Sequence, residues 1–156
     1  TARLHKMSET TAKISFILYS FLTGLTFSSI FVVYELTSII YVFLVSALLF
    51  GVFAVIGATT NIDLSKIGTI LLMLLFGIII CTLINMFIGS ENFDLALCII
   101  GLIVFMIYVA YDMQKIKQLE SIYDGDKLAI IGALELYLDF INIFLRLLEL
   151  FGKNRD

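Results

Sequence analysis

The chain has no proline among its 156 residues, and only 15% of them are charged. Without proline it lacks the usual cause of sharp helix kinks and the proline-bearing loops of many transporters. An ordinary soluble domain has about 25% charged residues, so this chain is poor in charge. Together with a hydrophobic fraction of 61% and a mean hydropathy of +1.08, the low charge indicates a membrane protein.

Histidine and cysteine are also scarce. His5 is the single histidine, and Cys81 and Cys98 form neither a CxxC motif nor a pair with a nearby histidine. Structural zinc sites and redox motifs need such closely spaced ligands, so we expect no resident cofactor. The net charge of −3 does not indicate a basic surface of the kind that binds nucleic acid.

Long stretches without charge define the spans. Four of them hold 21, 27, 24 and 17 residues, and a membrane helix needs about 20. They predict an all-α bundle with one transmembrane helical domain over residues 1–156. The predicted spans, including a fifth near the end of the chain, are 14–34, 39–59, 67–88, 94–112 and 128–151.

Small residues recur at steps of four in two of these spans. They are Ser20, Gly24 and Ser28 in the first span, and Ala47 and Gly51 in the second. Small side chains let helix backbones approach closely in lipid. We therefore expect these positions to be helix-packing surfaces.

The fifth span carries polar residues at steps of four, three, four and three, which places them on one helix face. A charged residue at the bilayer centre costs about 2.5–3.5 kcal/mol, whereas each Leu, Ile or Phe returns only about 0.3–0.6. The stripe should therefore face other helices or a wet cavity. Its members are Glu135, Asp139, Asn142, Arg146 and Glu149.

Two carboxylates are the leading site candidates. Asp112 ends the fourth span near a membrane boundary, and Asp139 lies near the middle of the fifth. Antiparallel neighbouring helices can bring them together, and two close carboxyl groups in a poorly hydrated site share one proton. Two plainer interpretations stay open: Asp112 as an interfacial residue beside Lys115, and the stripe as a purely structural polar seam.

The basic residues outside the spans are unevenly distributed. Seven lie on the side of the chain start, and two, Lys153 and Arg155, lie on the other side. The positive-inside rule then places the chain start in the cytoplasm and the chain end across the membrane. The seven are Arg3, Lys6, Lys13, Lys66, Lys115, Lys117 and Lys127.

Paired membrane aspartates also occur in intramembrane aspartyl proteases, where they activate water. The Gly-x-Gly-Asp motif of that family is absent, because this chain has "LYLD" at 136–139. Its Pro-Ala-Leu motif cannot occur without proline. We therefore do not expect an enzyme.

Four segments together resemble the Bax inhibitor family of membrane proteins. They are "GLTFSSIF" (24–31), "ATTNIDLS" (58–65), "YDMQKI" (111–116) and "LYLDFINIF" (136–144). The resemblance implies a seven-helix fold with the last helix in the centre, of which this chain matches the third to seventh helices. It also implies a pH-sensitive calcium leak whose paired aspartates match Asp112 and Asp139 and can bind Ca²⁺.

Two features depart from the family pattern. A family arginine on the second helix can pair with the aspartates, and Arg3 or Lys6 is the candidate for that cationic partner here. Glu149 stands where relatives often have a basic residue, at the outer end of the pathway.

The sequence thus predicts a pH-sensitive cation leak, for calcium, gated by an aspartate pair that shares a proton. The alternative is a regulatory membrane protein acting through helix contacts, as an anti-cell-death factor or a modulator of a membrane protease. Expected partners are the lipid bilayer, calcium ions and other membrane proteins, but not nucleic acid. The expected location is a bacterial inner membrane or an organelle membrane.

Overall fold

A computed structural model describes residues 9–120 and 125–155, and the regular elements in these ranges are helices. Five stretches within them are long and apolar enough to cross a membrane, which confirms the predicted all-α bundle. A 3₁₀ turn over Leu64–Ile67 precedes the fourth helix. The α-helices are α1 (Glu9–Phe27), α2 (Ile30–Val33), α3 (Leu36–Thr59), α4 (Gly68–Ile88), α5 (Glu91–Leu119) and α6 (Gly125–Phe151).

The first span differs from the continuous helix predicted over 14–34. Helix α1 ends at Phe27, and α2 adds only four residues after a turn at Ser28 and Ser29. The hydroxyl of Ser28 donates to the carbonyl of Leu25 at 2.6 Å, so the serine offers the backbone an alternative to the regular helical hydrogen bond. The span is therefore broken near its C-terminal end.

Three of the other predicted spans are shorter than the helices that contain them, whereas the predicted span 67–88 agrees with α4. Helix α3 begins before residue 39, and α5 extends beyond the predicted 94–112 at both ends. Charged residues mark where the apolar stretch stops, but a helix can continue past it into water. Helix α5 does so for about two turns, which carries Lys115 and Lys117 on the same helix as Asp112.

Helix ends follow local capping chemistry. Ser90 caps α5 by accepting from the Phe93 N–H at 3.4 Å, and Gly89 ends α4 with the positive φ of 68° that glycine tolerates best. Asp63 precedes the 3₁₀ turn before α4, and its Oδ1 accepts from the Ser65 hydroxyl and N–H at 2.6 and 3.0 Å. These hydrogen bonds lower the pKa of Asp63.

Helices α5 and α6 form the centre of the bundle. Helix α6 packs against α1, α3 and α5, while α5 packs against α3, α4 and α6. The last helix therefore lies inside the bundle, as the resemblance implies, and α5 shares that position. Their contact with α3 buries an apolar core of Ile39, Val42, Phe105, Val109, Ile143, Phe144, Leu147 and Leu148.

The closest backbone approach between α3 and α5 is at Gly57. A Cβ atom at this position would overlap the backbone of Ala110, so only glycine fits here. Gly24 and Gly51 have no such neighbour, since a Cβ atom at either would meet nothing within 4 Å. The packing surfaces predicted at those two glycines are thus wrong for the described helices. In lipid, a small residue can also face the membrane.

The segment after α6 pairs with the link between α2 and α3. The Glu35 N–H donates to the carbonyl of Lys153 at 2.9 Å, and the Arg155 N–H donates to the carbonyl of Val33 at 2.8 Å. The Lys153 ammonium adds an ion pair of 2.9 Å with the Glu35 carboxylate. We call this pairing the terminal clasp. It fixes the end of α6 to the link between α2 and α3.

Candidate functional site

A cavity of about 850 Å³ lies between α4, α5 and α6. It extends along α4 from Gly68 to Leu83, which is roughly 22 Å at 1.5 Å per residue. The hydrocarbon core of a bilayer is about 30 Å thick, so the cavity covers most of a crossing. Helix α4 supplies a largely apolar wall, and the polar side chains come from α5 and α6. The charged and amide residues in the lining are Asp112, Lys115, Glu135, Asp139, Asn142 and Arg146.

Asp112 and Asp139 meet at the buried side of this cavity. Their residues are only 7% and 4% exposed, and their carboxyl groups lie within hydrogen-bonding reach of each other. Among the described residues, Oδ2 of Asp139 is buried and receives no hydrogen bond from an N–H or hydroxyl donor. Two carboxyl groups this close avoid strong repulsion when one of them carries a proton. The geometry is therefore suited to a shared proton.

A second pair lies one helical turn away. The Lys115 ammonium is 2.7 Å from Oε1 of Glu135, and their side chains are 31% and 9% exposed. Lys115 follows Asp112 by three residues, while Glu135 precedes Asp139 by four, so antiparallel α5 and α6 form two adjacent polar contacts. Sequence analysis placed Glu135 in the stripe but did not pair Lys115 with it. The available signal was that Lys115 follows Asp112 by three residues, which places both on one face of α5.

The remaining stripe residues lie farther along α6. The Asn142 amide donates to the Leu138 carbonyl at 2.8 Å, and the Arg146 guanidinium is 3.2 Å from the Glu149 carboxylate. Arg146 lies over Gly101 of α5, where a Cβ atom would be 3.1 Å from its Nε. Arg146 thus forms one end of the cavity lining, whereas Glu149 lies on the exposed surface beside it.

Gln114 was not singled out from the sequence, yet it anchors the link between α3 and α4. Its Oε1 accepts from the Leu64 N–H at 2.8 Å, and its Nε2 donates to the Ile62 carbonyl at 2.9 Å. This side chain therefore holds the start of α4 against α5, next to the mouth of the cavity. Gln114 lies two residues after Asp112 in "YDMQKI". The same motif therefore supplies a residue of the cavity lining and the contact that holds the start of α4.

Two predicted elements of the site stay without a structural test. The candidate cationic partners Arg3 and Lys6 lie outside the described residues. Within those residues, no group of three or more His, Cys, Asp or Glu side chains is arranged to hold a metal ion. Ca²⁺ takes six to eight oxygen ligands, which is more than the carboxylates of two aspartates supply.

The sequence matches known proteins over its whole length. A family model described as "Inhibitor of apoptosis-promoting Bax1" covers residues 1–156. The chain is 47% identical over 161 residues to the inner membrane protein YbhL of Escherichia coli K12, covering 99% of this chain and 69% of that protein. It is 42% identical over 158 residues to an uncharacterized protein of Borreliella burgdorferi, covering 98% of this chain and 68% of that protein. The chain therefore belongs to the Bax inhibitor family of membrane proteins.

Proposed function

We propose that this membrane protein is a pH-sensitive cation leak with calcium as its cargo. The observation that carries the proposal is a buried carboxyl pair, Asp112 and Asp139, at the wall of a cavity that follows most of a membrane crossing. Carboxylate oxygens are the ligands that Ca²⁺ prefers. The proposal requires no catalytic step and no resident cofactor, and its partners are the lipid bilayer and the cation.

The carboxyl pair couples proton and cation occupancy. With one shared proton, Asp112 and Asp139 hold α5 and α6 together at the cavity wall. As pH rises and the shared proton leaves, the pair gains a second negative charge, so the carboxylates repel or take up a cation. Proton and cation then compete for the same oxygens, and cation flux depends on pH.

The alternative is a regulatory protein that acts through helix contacts. A leak requires its carboxylates to face a path that water can enter, whereas a binding module requires an apolar surface toward its partner. The polar stripe of α6 lines the cavity as far as Arg146, and this arrangement favours the leak.

Calcium flux into proteoliposomes tests the proposal. Purified protein is reconstituted into liposomes that contain a calcium-sensitive dye, and influx is followed over a series from about pH 5 to pH 8, because coupled acids lose their protons in separate steps over a wide pH range. We expect influx above that of protein-free liposomes, with a clear dependence on pH. Influx equal to that of protein-free liposomes at every pH would exclude a calcium leak.

Orientation gives a further prediction. Lys117 near the end of α5 and Lys153 after α6 lie at opposite ends of two antiparallel helices. With the buried Cys98 and the partly buried Cys81 replaced by serine, Lys117→Cys should react with a membrane-impermeant thiol reagent only from the cytoplasmic side. Lys153→Cys should react only from the other side. The cysteine-free parent is the control, and labelling of both positions from one side would contradict the predicted orientation.

A further inference from the structure

We propose that Lys115 is a tethered cation that competes with the transported ion for the Asp112–Asp139 pair. The Glu135 carboxylate binds the Lys115 ammonium and so keeps it away from that pair. This inference rests on the proposed leak. It assigns Lys115 the role of the cationic partner of the aspartates, for which the sequence had suggested Arg3 or Lys6. It also assigns Glu135 a part that the polar stripe alone does not indicate.

The position of Lys115 makes the competition feasible. Its ammonium is 2.7 Å from Glu135, and it lies one turn, or roughly 5 Å, from Asp112 along the same helix. The side chain is 31% exposed and lines the cavity, so it has room to move. Lysine carries its charge on a flexible four-carbon stem, which suits an exchange between two neighbouring carboxylates.

Among the described residues, Lys115 is the cation nearest to the Asp112–Asp139 pair. Helix α5 contributes Tyr108, Tyr111 and Asp112 to this region, and α6 contributes Glu135 and Asp139. The cavity wall from α4 and the preceding turn carries no charged side chain in its lining. When the pair is fully ionised, three carboxylates therefore face one ammonium.

This arrangement predicts opposite effects for the two halves of one ion pair. Lys115→Gln removes the tethered competitor, so calcium influx should rise and half-saturation should occur at a lower calcium concentration. Glu135→Gln releases the ammonium toward Asp112, so influx should fall and half-saturation should need more calcium. We expect the calcium concentration at half-saturation to change by roughly threefold or more in each direction, which is in the upper range for a partly exposed ion pair.

A purely structural ion pair predicts something else. If the contact only held α5 to α6, breaking it from either side would loosen the same helix contact. Both variants would then change influx in the same direction, and both would lower the melting temperature. The sign of the two effects therefore separates competition from simple support.

The experiment uses the full chain in proteoliposomes, at the pH where the parent leaks most. Influx is measured against calcium concentration for the parent, Lys115→Gln, Glu135→Gln and Lys115→Arg, and melting temperatures check folding. Lys117→Gln is the matched control, since it removes the same charge two residues along α5, where the ammonium only donates to the Ala58 carbonyl. We expect Lys117→Gln to retain parental saturation, and Lys115→Arg, which keeps the positive charge, to shift saturation less than Lys115→Gln does.

The outcomes separate the two proposals. A parent without pH-dependent influx contradicts the leak itself. A leaking parent with unchanged saturation in Lys115→Gln, or with both variants shifted in one direction, overturns the role of Lys115 and leaves the leak intact. If Lys115→Gln does not fold, Glu135→Gln decides alone: reduced influx at a parental melting temperature supports the inference, and unchanged or increased influx overturns it.

Discussion

Asp139→Asn should remove most of the pH dependence of calcium influx, and Asp112→Asn should do the same. Each change leaves one carboxyl group beside an amide, so the site no longer shares a proton between two acids. The amide can still hydrogen-bond to the remaining carboxyl group, which limits structural damage. The double variant should add little to either single one, because both changes remove one coupled unit.

The measurement is the pH series in dye-loaded liposomes, with melting temperature as the check on folding. Glu120→Gln is the matched control, since it neutralises an exposed carboxylate that follows the same helix as Asp112. Its pH profile should equal that of the parent. If both aspartate variants also kept the parental profile, the polar residues would be a structural seam and the proposed gating would be wrong.

Gly57→Ala should destabilise the fold strongly, whereas Gly51→Ala should not. The added methyl group at residue 57 would overlap the backbone of Ala110, and a backbone segment in the centre of the bundle cannot move aside cheaply. Overpacking of this kind costs about 1–3 kcal/mol. At residue 51 the methyl group meets nothing within 4 Å, so alanine should only gain its better helix propensity, up to about 1 kcal/mol.

Thermal unfolding of the two variants in the same detergent gives a direct comparison, because both changes add one methyl group to α3. We expect a clearly lower melting temperature for Gly57→Ala and a parental or slightly higher one for Gly51→Ala. Ala110 lies two residues from Asp112, so Gly57→Ala should also disturb the carboxyl pair. Equal melting temperatures would show that α3 and α5 are not in close backbone contact at Gly57.

The sequence was informative where charge interrupts apolar stretches. The rarity of charge located four of the five spans, and the steps between Glu135, Asp139 and Asn142 indicated that one face of the last helix had to avoid lipid. The fourth and fifth spans follow each other in the chain and are joined by one loop, so they were expected to be antiparallel neighbours that can bring Asp112 near Asp139. These inferences rest on the high cost of charge in lipid.

Packing between apolar surfaces was much less predictable. In lipid, a residue that faces another helix and one that faces the membrane are both apolar, so α3 and α4 are hydrophobic on all sides. Gly51 and Gly57 therefore look alike in the sequence, although only Gly57 touches another backbone. The break at Ser28 and Ser29 is a local feature of the backbone, and the Lys115–Glu135 contact depends on the exact offset of two helices.

The terminal clasp has a consequence for how the protein is made. It joins parts of the chain that leave the ribosome far apart in time, as in the hydrogen bond from the Lys153 N–H to the Ser38 hydroxyl, 115 residues earlier. Helix α6 supplies Asp139 and Glu135 and inserts poorly alone, so it should enter the bilayer only against helices already there. A chain synthesised only as far as α5 thus has neither the second carboxylate nor the cavity wall that α6 supplies.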